Sequence, residues 1–157
     1  GQQLDLMVQP IDLLPTLCEL AGVQISPPEP LHGRSFARQL MTGTGALRDH
    51  VITGAHLNPE RVSQNQVPSR ASTPFLRSGS FGYTPIGPTG TPQLFDLTED
   101  PFAEKDVAPA NINIVSELHK IFLQSMAETG ADDAFLKLWT TPRNSTTGGS
   151  WARDYST

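Results

Sequence analysis

Apolar residues crowd two stretches of this chain at helical spacing and thin out between them. In the first, Asp12 to Gly22, Leu13, Leu17 and Leu20 recur at i, i+4 and i+7, while Leu14, Cys18 and Ala21 widen the stripe to most of the circumference. Asp12 is placed to cap the free amides of the first turn. Pro15 falls where a missing donor is harmless, and Gly22 supplies a left-handed stop. A helix so widely apolar needs a large partner surface. The second stretch, Ile112 to Thr129, has Asn111 or Asn113 as cap, Ile114, Val115, Leu118, Ile121, Phe122 and Met126 as its stripe, and Gly130 as stop. His119 lies mid-helix among polar neighbours and reads as solvated.

Between these helices the pattern changes period. The proline-rich connector Ile25 to Pro30 leads to Leu31-His32-Gly33-Arg34-Ser35 and a short amphipathic stretch through Phe36, Leu40 and Met41 that ends at Gly43. Arg48-Asp49-His50 reads as a turn entering a buried strand at Val51 and Ile52, both β-branched. From Leu57 to Ser72 the apolar pattern stops, as in a binding loop, a lid or a disordered connection. Pro74 to Arg77, Ser80 to Ile86 and Gln93 to Leu97 are strand candidates separated by glycines and prolines, which predicts an antiparallel meander. A last short helix begins at Asp132 and presents Phe135, Leu136 and Trp139. Beyond Pro142 the run Asn144 to Ser150 is polar and low in complexity, so a disordered tail over 142–157 is expected. The order predicts an α+β fold, a small antiparallel sheet packed by a long C-terminal helix.

Composition narrows this picture. A chain of 157 residues with 37% hydrophobic content can bury one ordinary core. Fourteen prolines and thirteen glycines exceed the average combined usage of about 12%, so much of the chain is loop. The formal charge of -5, with eleven scattered basic residues, gives no footprint for a phosphate backbone, and nucleic acid is excluded as a partner. No apolar run approaches the roughly 18 to 20 residues needed to cross a bilayer, and the opening residues carry no leader pattern. Cys18 can form no internal disulfide and has no metal-ligand spacing. On the apolar helix face it reads as a buried small hydrophobe.

Two stretches resemble the sulfatase family of the alkaline phosphatase superfamily. One is Ile11-Asp12-Leu13-Leu14-Pro15-Thr16-Leu17 through Ala21-Gly22, followed by Leu31-His32-Gly33-Arg34-Ser35, where family members carry I-D-L-L-P-T-L and then L-D-G-R-S; His32 takes the acidic place. The other is Gln93-Leu94-Phe95-Asp96-Leu97-Thr98-Glu99-Asp100-Pro101 with Glu104, similar to the family's E-L-Y-D-L-x-x-D-P-x-E, leading to a helix that ends Glu128-Thr129-Gly130. His56 and the Arg77-Ser78 pair resemble the sulfamidase-like (N-sulfoglucosamine sulfohydrolase) branch. The resemblance implies that residues 1–50 are the end of a truncated large α/β domain, its peripheral helix included. Residues 51–141 are then the sulfatase C-terminal subdomain. It also implies a periplasmic, secreted or lysosomal setting.

Family chemistry needs a cysteine or serine oxidised to formylglycine, whose hydrate attacks sulfur, and a calcium ion on hard oxygen ligands. In the family these groups precede the I-D-L-L-P-T helix, so this chain is expected to carry no catalytic residue, no metal ligand and no cofactor. Its implied partners are the missing N-terminal catalytic portion and, through the parent enzyme, a sulfated carbohydrate or other sulfate ester. The modification motif C/S-x-P-S-R is imitated only in its last three positions by Gln66-Val67-Pro68-Ser69-Arg70, where a carboxamide stands in place of the oxidisable residue. Asp132-Asp133 and Glu99-Asp100 read as capping and turn residues, since neighbours on a helix do not face one another.

His32 and His50 stand at turns, and Arg34 reads as structural, packed by the family turn. Asn144-Ser145-Thr146 fits a glycosylation triplet that arises readily by chance. The substrate-binding candidates are His56, set after a strand and before a long loop, and Arg77, whose guanidinium can grip a sulfate with two parallel donors. Two other readings stay open. One is a phosphodiesterase or phosphonate monoester hydrolase of the same superfamily; the other is a stand-alone, non-catalytic binding module.

Overall fold

The computed structural model describes residues 3–27, 31–53, 74–85 and 91–140. The chain divides into two compact units, Gly1–Val51 and Ile52–Thr157.

In the first unit a 3-10 turn, Pro10–Asp12, runs into α1, Leu13–Leu20, and the connector leads to α2, Ala37–Thr42. Gly22, at φ 68°, ends α1 as the sequence predicts: Val23 N–H reaches Cys18 O at 2.9 Å and Gly22 N–H reaches Glu19 O at 3.1 Å. The start of the helix differs from the expectation. Asp12 stands at the N-cap position, but its carboxylate does not cap α1. The preceding 3-10 turn puts Asp12 at the third position of its own box, so Oδ2 reaches back to accept from Gln9 N–H at 2.7 Å.

The leucine stripe of α1 faces outward within this unit. Leu13, Leu14, Leu17 and Leu20 are 49–62% exposed, and Cys18 is half-buried rather than buried, because the side turned inward is the polar pair Asp12 and Thr16. Gly33 explains part of that choice. A Cβ there would lie 2.0 Å from the Ile11 carbonyl oxygen, so the 31–35 turn presses its backbone directly onto the entry to α1, and only glycine leaves the room.

Strands β1 (His50–Thr53), β2 (Phe75–Ser78), β3 (Phe81–Thr84) and β4 (Gln93–Asp96) form one sheet in the order β1-β2-β3-β4. Val51 and Ile52 are half-buried rather than buried, as an edge strand leaves them. The predicted meander is present with trimmed ends: β2 and β3 run antiparallel with Leu76 opposite Tyr83, and β3 and β4 with Tyr83 opposite Leu94. Leu76, Tyr83 and Leu94 therefore share one face, and all three are fully buried.

That face meets α3, Ile112–Glu128, which contributes Val115, Leu118 and Phe122 to the same core. Burial of each large side chain stabilises the unit by about 1.5–3 kcal/mol. Ala108 and Trp139 close the cluster, the latter following α4, Asp133–Leu138. Asn111 precedes α3 but does not cap it; its side-chain amide donates to Val107 O at 2.9 Å instead. Gly130 ends α3 with the bonding seen at Gly22, Ala131 N–H to Met126 O and Gly130 N–H to Ala127 O, both 3.0 Å.

Carboxylates set the path from β4 to α3. Asp96 Oδ1 accepts from Thr98 N–H, Asp100 Oδ2 from both Glu104 and Lys105 N–H, and Asp106 Oδ1 from both Leu94 and Ala108 N–H. The stretch from Asp96 to Asp106 is thus a run of side-chain-capped turns, which supports the turn reading of Asp100.

Candidate functional site

Arg77 lies in β2 one residue after buried Leu76, so its side chain belongs to the sheet face away from α3. It pairs with Gly82, and Gly82 pairs with Phe95. Phe75 occupies the same face two residues earlier, and its ring lies over Gly82: a Cβ at that glycine would meet Phe75 Cζ at 2.3 Å. The rings of Phe75 and Phe95 stack, with centroids 6.3 Å apart and planes at 27°. The arrangement is a glycine crease roofed by an aromatic pair, with one exposed guanidinium beside it. Arg77 has no ion-pair partner among the described residues, so its fork of donors is open to an anion. His56, Gln66–Arg70, the loop 57–72, the 142–157 tail and Asn144 lie outside the described residues.

Among the described residues the strongest electrostatic arrangement sits in the first unit, and it was not foreseen from the sequence. Asp12 is fully buried, and Oδ1 accepts from Arg34 N–H at 2.7 Å and forms a close ion pair with Arg48, whose side chain is itself buried. Arg48 also donates to Gln9 Oε1 at 2.5 Å. Thr16 Oγ1 donates to Asp12 O at 2.6 Å and accepts from Phe36 N–H at 3.1 Å. Arg34 was expected to act through packing, yet its side chain is exposed and it is its backbone N–H that is engaged. The signal was present: Asp12 and Thr16 at i and i+4 form a polar line between the leucines. The hub joins segments 9–16, 34–36 and 48, and its charges are mutually neutralised, so its work is structural.

His119, expected to be solvated, is 3% exposed. It falls between Val115 and Phe122 on the inward stripe of α3, a position its spacing allowed. Nε2 lies 2.5 Å from Trp139 O and Nδ1 lies 2.7 Å from the Tyr83 hydroxyl. A carbonyl only accepts, so Nε2 carries the proton and Tyr83 donates to Nδ1. Burial lowers the His119 pKa below its ordinary value, partly opposed by the bond to the Trp139 carbonyl, and burial pushes the Tyr83 phenol well above its usual range.

These described residues do not fit a calcium site: no three His, Cys, Asp or Glu side chains among them are grouped to hold a metal ion. The whole sequence holds no C/S-x-P-S-R for formylglycine. Among the described residues no helix is long and apolar enough to cross a membrane.

No sequence-family profile matches the chain. Arylsulfatase K of Xenopus laevis is 33% identical over 122 residues, which covers 76% of this chain and 22% of that protein. The chain belongs with the sulfatases. Among solved structures, this sulfatase chain is similar to a putative sulfatase of Bacteroides thetaiotaomicron VPI-5482, 26% identical with TM-score 0.56, over 91% of this chain and 31% of that one. A 2-O GAG sulfatase matches at 26% identity and TM-score 0.55, with the same coverage. The phosphonate monoester hydrolase of Agrobacterium radiobacter, at 22% identity and TM-score 0.52, covers 74% of this chain and 24% of its own and shares the fold. The sulfatase chain thus spans about a fifth to a third of the length of the relatives it matches, in keeping with the C-terminal portion of such a protein.

Proposed function

We propose that this chain is the C-terminal segment of a sulfatase that hydrolyses sulfate esters or N-sulfates of carbohydrates, serving as a structural subdomain and as part of the rim of the substrate cleft, and inactive alone. The observation that carries the reading is the outward leucine face of α1, 49–62% exposed at four positions, in a chain that matches a sulfatase at 33% identity. Such a face asks for an apolar partner, and the catalytic portion of a sulfatase is the partner that the resemblance supplies. Formylglycine and calcium belong to that portion in this reading. A glycosaminoglycan sulfatase among the similar structures supports a carbohydrate substrate. In this reading Arg77, exposed beside the Phe75–Phe95 pair, is the rim residue assigned to hold a sulfate, and His56 is the second residue assigned to the substrate.

The test compares the purified 157-residue chain with the parent enzyme on an aryl sulfate and on a phosphonate monoester, each with added calcium. The expected outcome is turnover of the sulfate ester by the parent and none by the isolated chain. Turnover by the isolated chain that survives further purification refutes the assignment of the centre elsewhere. A parent that prefers the phosphonate ester moves the chemistry to the other branch of the superfamily.

A further inference from the structure

We propose that the Tyr83–His119–Trp139 chain is an acid-operated latch: the neutral His119 ring fastens the segment after α4 to the core, and proton uptake by that ring unfastens it. The neutral ring satisfies both neighbours at once, donating from Nε2 to Trp139 O and accepting at Nδ1 from Tyr83. Its surroundings are apolar and aromatic. Tyr83 meets it edge-on at 6.1 Å between centroids, and Phe122 lies at 6.1 Å and in turn meets Trp139 edge-on at 5.7 Å.

Protonation places a donor on Nδ1, so Tyr83 must turn its own hydrogen away inside a closed core, around a new charge. Among the described residues no carboxylate bonds to the ring to answer that charge. Of the elements around the ring, β3 offers Tyr83 and the α4 end offers the Trp139 carbonyl. Glu117, Lys120 and Glu128 on α3 and Asp133 and Lys137 on α4 are exposed, and Asp96 at the end of β4 accepts from Thr98 N–H. The weaker side of the latch is α4. β3 is paired on both edges, whereas α4 has six residues, too few for a helix to persist unsupported.

The sign follows from burial. The folded pKa of His119 is lowered from 6.5, so the opened state binds the proton more readily. The latch is at full strength above about pH 6.5, weakens as the pH falls below that value, and levels off once the folded pKa is passed.

The experiment is hydrogen exchange, read by mass spectrometry on the full 157-residue chain from about pH 7.5 to about pH 5 and corrected for intrinsic exchange. The opening constant of residues 133–140 should rise by up to about tenfold per pH unit below about 6.5, while β3 and β4 keep their protection. In His119→Gln, which keeps a donor for Trp139 but cannot titrate, the same peptide should be flat across the range. A flat wild type, or a variant that rises in parallel with it, overturns the latch. Should His119→Gln fail to fold, the wild-type ring resonances decide: opening whose midpoint does not follow the titration of His119 overturns it equally.

Discussion

In the unit Gly1–Val51 the side chains that α1 and its entry turn bury are Asp12 and Thr16, while the leucines beside them are half-open to solvent. In the unit Ile52–Thr157 the buried side chains include Leu76, Tyr83, Leu94, Leu118 and Phe122, and the polar ones among them are His119, Thr84 and Ser125. The first unit is fixed by hydrogen bonds to a single carboxylate, the second by apolar packing between a sheet face and a helix. Burial is nondirectional and scales with area, so it makes a unit stable on its own. A carboxylate that accepts from Gln9, Arg34 and Arg48 fixes the mutual placement of three segments without using the leucines at all. The contrast separates a part that leaves its leucine stripe open from a part that encloses its own apolar face.

The largest break in this comparison is Asp12→Ala. It leaves the buried Arg48 guanidinium without its countercharge and strips acceptors from Gln9 and Arg34, and losing one member of a buried pair costs about 3–5 kcal/mol. Hydrogen exchange should show residues 9–20 and 31–48 losing protection together, with β2 to β4 unaffected. Equal loss in both units would mean that the hub also carries the sheet. Leu118→Ala is the counterpart in the second unit. At 5% exposure in the core cluster it should cost about 2–4 kcal/mol by denaturant unfolding, with residues 9–20 keeping their protection.

The same contrast explains what could be read from the sequence. Both helix stops were legible, because a glycine at φ 68° or 87° is a local requirement that the residue type announces. The meander and its α+β setting were legible because glycines and prolines punctuate short runs rich in apolar residues. Asp12 was misread for a reason of the same kind. An aspartate before an apolar run is ordinarily a cap, and only the 3-10 turn ahead of it, together with Arg48 thirty-six residues later, turns its carboxylate away from α1. His119 was missed because its partners, Tyr83 and Trp139, approach from other elements, and a single-helix pattern carries no trace of them. The aromatic roof over Gly82 was hidden likewise, since it depends on register. Of the candidate site, Arg77 was proposed for its chemistry, and the aromatic pair beside it was not anticipated.

The smallest expected effect sharpens the comparison most. Leu17 is 62% exposed, so Leu17→Gln, which keeps a good helix former, should change the stability of the 157-residue chain by no more than about 0.5 kcal/mol. Its consequence should appear in association instead: an apolar face of four leucines drives chains together, and a polar group at its centre should lower the average mass seen by sedimentation or light scattering. Placed in the parent enzyme, the same change should cost about 2 kcal/mol or more if the catalytic portion covers the helix, because a buried carboxamide then replaces a packed leucine. A variant that is harmless in both settings would leave the leucine face without a partner and remove the support it lends to the proposed function. One that is costly in the isolated chain would show that this face is already covered there, and that the outward stripe of the first unit belongs to its own core.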